Sequence, residues 1–150
     1  MLLDVSFGFF FFVGSIDLLI MTIQDLRERS IDDRYNWIML GMVIAIFFVS
    51  GRSLYYMGAI LLLALLFPLA TRKFFAKGDI SVLNWILIGM GLLGPTFLYL
   101  FFIFFMFTLC THTFLRVLYK IEGSLPGLPI LSGAFWGVAA IYYLSPYFHL

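Results

Sequence analysis

One long apolar stretch most constrains the fold of this chain. No charged residue occurs between Ile80 and Leu115. As a single helix this stretch would be about 54 Å long, whereas the hydrocarbon core of a bilayer is about 30 Å thick. The stretch must therefore fold back, and the sequence GLLGP at 91–95 supplies the glycine and proline at which a helix breaks. Two successive membrane spans are predicted here.

The rest of the chain extends the same pattern. Of 150 residues, 63% are hydrophobic and 11% are charged, with a mean hydropathy of +1.08, too apolar for a soluble domain. The N-terminus has no basic flank or small-residue cleavage site, which predicts a retained helix rather than a signal peptide. We therefore expect one all-α integral membrane domain over residues 1–150, a bundle of six transmembrane helices. The predicted spans are about 5–24, 35–50, 54–70, 80–94, 96–119 and 130–147.

Two smaller features predict which helix surfaces meet. The runs FFFF at 9–12 and FFIFFMF at 101–107 are expected to face lipid. Glycines allow two helices to approach closely in a membrane. Four are predicted to lie at helix contacts: Gly89, Gly91, Gly133 and Gly137.

The basic residues predict the orientation of the bundle. Eight of the nine Lys and Arg residues fall in the first, third and fifth loops, and only Arg52 falls in an even-numbered loop. Loops rich in Lys and Arg remain on the cytoplasmic side. The odd-numbered loops are therefore predicted to be cytoplasmic, in the cell membrane, with both termini outside.

Composition also excludes several kinds of site. The single cysteine, Cys110, excludes an internal disulfide and a multi-cysteine metal site. His112 and His149 are distant in sequence and have no carboxylate cluster beside them, so no metal or other cofactor is expected. A net charge of +1 gives no field suited to nucleic acid.

Two charged segments interrupt the apolar pattern, QDLRERSIDD at 24–33 and FFAKGDISVL at 74–83. Asp25 ends the first span and Asp79 opens the fourth, so the topology brings both to the same membrane face. Two carboxyls in contact cannot both ionise easily, so one keeps its proton and serves as acid while the other activates water as base. That is aspartyl-protease chemistry. The alternative is that each aspartate only flanks or caps a helix.

These residues resemble the type IV prepilin peptidase family, which includes the archaeal preflagellin peptidases. The family is marked by an aspartate followed by an R-x-I-P-N/D segment, and by a later G-x-G-D. In DLRERSIDD, Asp25 matches the first catalytic aspartate, and Arg29 matches the arginine after it. In AKGD, Asp79 matches the second catalytic aspartate and Gly78 its glycine, with Lys77 between. The chain departs from the pattern at Ala76, in place of the first glycine, and at Asp32, in place of proline.

The resemblance implies an aspartic endopeptidase of the short form, without the cysteine-rich segment of the large bacterial members. It would remove the leader of pilin-like or archaellin-like precursors at the cytoplasmic face. The basic residues near the site, Lys77 and Arg29 among them, would contact lipid headgroups or substrate, or act only as membrane anchors. The sequence does not specify the precursor, the choice between pilus and archaellum, or the oligomeric state.

Asp17, in the middle of the first span, is the third acidic residue of interest. It precedes Asp25 by eight residues, about 12 Å along a helix, which is too far for a carboxylate dyad. A structural role for Asp17 is therefore predicted ahead of a catalytic one. Two alternatives to a peptidase remain open, namely an inactive homologue that acts as an assembly scaffold and a small ion-coupled transporter. Asp17 favours the transporter, and the absence of an internal repeat disfavours it.

Overall fold

The described residues of the chain form six helices. The computed structural model describes residues 2–28, 33–71, 77–120 and 127–148, and no strand occurs in these ranges. The prediction of an all-α membrane bundle is confirmed. The helices are α1 (Leu2–Glu28), α2 (Asp33–Ser50), α3 (Leu54–Thr71), α4 (Lys77–Leu93), α5 (Pro95–Tyr119) and α6 (Gly127–Phe148).

The predicted break between the fourth and fifth helices is confirmed at a single residue. Gly94 has φ 144°, a conformation that glycine adopts without a steric penalty. Pro95 follows as the first residue of α5, where its missing N–H would have no helical partner in any case. The Gly94 N–H donates to the Met90 carbonyl at 3.2 Å, and the Gly94 carbonyl accepts from the Leu98 N–H at 3.3 Å. The chain therefore reverses direction without leaving these backbone groups unpaired.

Length separates the helices into two groups. Four are long and apolar enough to cross a membrane: Val5–Arg27, Leu54–Thr71, Pro95–Tyr119 and Gly127–Leu144. The apolar parts of α2 and α4, 34–50 and 78–93, are shorter. Each predicted span thus corresponds to a helix, and four of the six meet the length of a full span.

The central helix of the bundle is α4. It packs against α2, α3, α5 and α6. Its side chains are apolar on nearly every face, as expected for a helix enclosed by others. Leu83, Ile86, Leu87 and Met90 are fully buried. In the first turn of α4, Asp79 is also buried.

Helix contacts at glycine are confirmed at all four predicted positions. At each one, an added Cβ would meet a side chain of a neighbouring helix closer than van der Waals contact allows. The pairs are Gly89 with Phe10, Gly91 with Ile60, Gly133 with Thr108, and Gly137 with Phe104.

The prediction that both phenylalanine runs face lipid is wrong for four of their nine rings, which are buried. Phe9 and Phe12 are exposed, as expected, but Phe10 and Phe11 are fully buried. In the second run, Phe101 is fully buried while residues such as Phe107 point outward. A helix turns 100° per residue, so an uninterrupted aromatic run must cover both its core face and its lipid face.

The two ends of the bundle differ in charge. We call the end at which α1, α3 and α5 finish and α2, α4 and α6 begin the basic end. The described basic residues found there are Arg27, Arg34, Lys77, Arg116 and Lys120. Arg52 lies at the opposite end, where its Nη2 donates to the carbonyl of Leu93 at 3.1 Å and its guanidinium lies 5.3 Å from the ring of Tyr56. The basic residue that breaks the sequence asymmetry thus binds the C-terminus of α4, where a cation is favoured.

Candidate functional site

The two aspartates of interest occupy the basic end. Asp25 lies in the last turn of α1 and is half-buried. Asp79 lies in the first turn of α4 and is only 6% exposed. Gly78 precedes it and is partly exposed. The structure therefore brings both predicted catalytic residues to one end of the molecule, on different helices.

The supporting residues are described only in part. Lys77 is the first residue of α4. Arg29 and Ala76 lie outside the described residues, as does Asp32. The predicted roles of these three residues remain predictions.

The position of Asp79 has a local physical reason. Backbone N–H groups in the first turn of a helix have no helical partner, and the helix dipole favours a negative charge there. The same argument applies to any aspartate that opens a helix, so it also fits the alternative in which Asp79 only caps α4. What distinguishes Asp79 is its burial, because an acidic residue that only caps a helix is usually solvated.

Helix contacts give the relative depths of the acidic residues. The Phe10 ring on α1 lies 6.1 Å from the ring of Trp85 on the antiparallel α4. A Cβ on Gly89 of α4 would also overlap the Phe10 ring, so Asp79 is six to ten residues from the contact along α4, about 9–15 Å. Asp17 is seven residues from Phe10 along α1, about 10 Å. Asp25 is fifteen residues away, about 22 Å. Asp79 is therefore closer in depth to Asp17, and Asp25 lies further toward the basic end.

The predicted pair is not bonded in this arrangement. Within the described part of the chain, Asp25 makes no hydrogen bond or ion pair. The two carboxyls share an end of the bundle but are displaced from each other along it.

Buried polar side chains are few. Among the described residues they are Asp17, Asn36, Asp79 and Ser132, one each on α1, α2, α4 and α6. All four lie toward the basic end of their helices. The hydroxyl of Ser132 is 3.0 Å from that of Thr22, so this pair joins α6 to α1.

Several buried polar atoms have no hydrogen-bond partner. On α1 and α2 they are Asp17 Oδ2, Gln24 Oε1, and both Oδ1 and Nδ2 of Asn36. On α4 they are Asn84 Oδ1 and Trp85 Nε1. Asn36 and Gln24 were not singled out from sequence. A sequence signal for Gln24 exists, since it follows Asp17 by seven residues and therefore shares its helix face.

A metal centre has no support from the side chains present. The described residues contain no group of three or more His, Cys, Asp or Glu side chains that could hold a metal ion.

Comparison with known proteins adds no assignment. No family model matches the chain, and no curated protein or solved structure matches it significantly.

Proposed function

We propose that this protein is a membrane aspartyl endopeptidase that removes the leader of pilin-like or archaellin-like precursors. One observation carries the proposal most strongly. Asp79 is buried at the start of the central helix, directly after Gly78, and Asp25 lies at the same end on α1. Burying a carboxyl in a membrane protein is costly, which makes a functional role the default hypothesis.

The neighbourhood of Asp79 suits a peptide substrate. Gly78 has no side chain and is partly exposed, so an extended backbone can approach the first turn of α4 closely. In the proposed reaction one carboxylate takes a proton from water as the water attacks the scissile carbonyl. The other, protonated, carboxyl gives its proton to the leaving amine. In the proposal, Asp79 and Asp25 fill these two roles, which requires the two carboxyls to approach each other from their present depths when the substrate binds.

The substrate class follows from the resemblance and from the position of the site. A pilin-like precursor has a short basic leader, a cleavage site and then an apolar helix. Such a helix can lie in the bilayer beside the bundle while its leader remains at the basic end. We assign that end to the cytoplasmic face because eight of the nine basic residues of the sequence fall in the odd-numbered predicted loops.

Leader release is the direct test. Purified protein in nanodiscs is incubated with a pilin-type precursor, and the products are resolved by mass spectrometry. Cleavage is expected for the wild type, and loss of cleavage for Asp79→Asn at equal folded protein. Addition of EDTA is expected to leave the rate unchanged, because the mechanism uses carboxyls alone. Cleavage by Asp79→Asn at the wild-type rate would exclude the proposal.

The two alternatives predict other outcomes of the same assay. A scaffold would bind precursor without cleaving it, and wild type and Asp79→Asn would then behave alike. An ion-coupled transporter would need a polar route across the bundle. On the side away from the basic end, however, Asp17 is followed by a buried aromatic cluster that includes Phe10, Trp85 and Phe135.

A further inference from the structure

We infer that Asp17 and Asn36 form an internal site that binds water between α1 and α2, open to the basic end through Gln24. The proposal concerns a part of the molecule that the proposed peptidase mechanism does not use. It starts from the unpartnered polar atoms on these two helices.

The two side chains face each other across the α1–α2 contact. These helices pack together and run antiparallel. The Met39 Cε lies 3.2 Å from the position that a Cβ on Gly14 would take, which sets the register to within about one helix turn. Asp17 is three residues after Gly14 and Asn36 is three residues before Met39. Each is therefore about one turn nearer the basic end, on the same buried face.

The side chains of Asp17 and Asn36 suit a small ligand that can both donate and accept hydrogen bonds. Asp17 is 6% exposed and Asn36 is 7% exposed. Neither Asp17 Oδ2 nor the Oδ1 and Nδ2 atoms of Asn36 have a partner, so the two side chains do not bond each other directly. Water can donate to both oxygens and accept from the amide. A metal cation would leave the Asn36 amide hydrogens unpaired, and it would need more oxygen ligands than this pair supplies.

A route to solvent continues along α1. Gln24 follows Asp17 by two turns on the same face, about 10 Å nearer the basic end, and its buried Oε1 also has no partner. In the other direction the same face carries Phe10, whose ring lies 5.7 Å from the ring of Phe135. The Trp85 ring lies 5.7 Å from Phe135 as well, and all three residues are at most 1% exposed. The site is thus a blind pocket rather than a channel.

Radiolytic hydroxyl-radical footprinting tests the site without any need for peptidase activity. Radicals form at bound water and oxidise the nearest side chains. Met39 and Met21 are each about one turn from the proposed site, and both are fully buried. The equally buried Met90, on α4, serves as the internal reference. In nanodiscs, we expect Met39 and Met21 to be oxidised severalfold faster than Met90.

Paired variants make the test specific. In Asp17→Leu/Asn36→Leu, oxidation of Met39 and Met21 is expected to fall to the rate of Met90. The melting temperature should be unchanged or higher, because apolar groups replace unpartnered polar ones. Asp17→Asn keeps a polar side chain and should retain the fast oxidation.

Two results would overturn the inference. The first is that Met39 and Met21 of the wild type are oxidised no faster than Met90, which would indicate a contact between α1 and α2 without water. The other is fast oxidation that persists in a folded double variant, which would indicate water held by other groups. If the double variant does not fold, the wild-type comparison alone decides. None of these outcomes depends on leader cleavage, so failure here and failure of the proposed function remain distinguishable.

Discussion

At the scale of single residues, Asp25 and Asp79 should act as one unit. If each carboxyl supplies half of an acid–base pair, removing either leaves no complete pair. Asp25→Asn and Asp79→Asn are each expected to abolish leader cleavage. The double variant is expected to be no worse than either single one, because effects within a catalytic unit are strongly non-additive. The measurement is the cleavage rate of all three variants at equal folded protein.

Lys77→Ala is the matched control for these variants. Lys77 begins the same helix turn as Asp79, yet it is not part of the proposed proton path. Its removal should cost much less activity than Asp79→Asn. If one of the two aspartates tolerates asparagine with near-normal turnover, the dyad is wrong and that residue is a helix-end carboxylate.

Asp17 requires its own measurement because it lies closer to Asp79 in depth than Asp25 does. We expect Asp17→Asn to keep most of the cleavage activity, since asparagine retains the capacity to hydrogen-bond water. The assay is leader release, with Asp79→Asn as the reference for complete loss. Activity of Asp17→Asn as low as that reference would place Asp17 in the mechanism. Asp17 would then be a candidate, like Asp25, for the second catalytic carboxyl beside Asp79.

At the scale of elements, the contact between α1 and α4 depends on a glycine. A Cβ on Gly89 would overlap the buried ring of Phe10. Gly89→Leu should therefore lower the free energy of unfolding by about 1–3 kcal/mol. Gly58 lies on the exposed side of α3 and has no atom within 4 Å of an added Cβ, so Gly58→Leu is the size-matched control. Denaturation in detergent micelles measures both, and equal losses would contradict this packing.

Arg52 secures the opposite end of α4. Arg52→Ala removes the hydrogen bond to the Leu93 carbonyl and the contact with the Tyr56 ring. We expect a loss of about 1 kcal/mol in the free energy of unfolding. Arg27→Ala, at an exposed position near the end of α1, should cause a smaller loss in the same experiment. A larger loss for Arg27→Ala than for Arg52→Ala would contradict the stabilising role given to Arg52.

At the scale of the whole molecule, the charge asymmetry predicts the topology. Reporter fusions at Asp32, Phe75 and Glu122 should report the cytoplasm. Fusions at Arg52 and at the C-terminus should report the outside. The physical reason is the retention of Lys-rich and Arg-rich loops on the cytoplasmic side. A cytoplasmic C-terminus would mean that one of the two shorter helices, α2 or α4, does not cross the membrane.

Much of the architecture was predictable because it depends on local sequence. The charge-free stretch from Ile80 exceeds the thickness of a bilayer, so a reversal was required, and Gly94 with Pro95 was the position suited to it. The glycines at helix contacts were also predictable, since close approach in a membrane needs small residues. The motifs around Asp25 and Asp79, together with the two spans between them, predicted that both lie at one end of the bundle.

Only the tertiary structure decided how the helices rotate and how deep each residue lies. Hydropathy could not separate Phe10, which is buried, from Phe9, which is exposed. Both are phenylalanine, and they differ only in the face of α1 on which they lie. Sequence spacing could not show that Asp79 lies closer in depth to Asp17 than to Asp25, since that depends on the register of antiparallel helices. The proposed site between Asn36 and Asp17 depends on the register of α1 and α2 in the same way. A residue's type fixes the chemistry that it can offer, whereas the packing of helices fixes which other residues it meets.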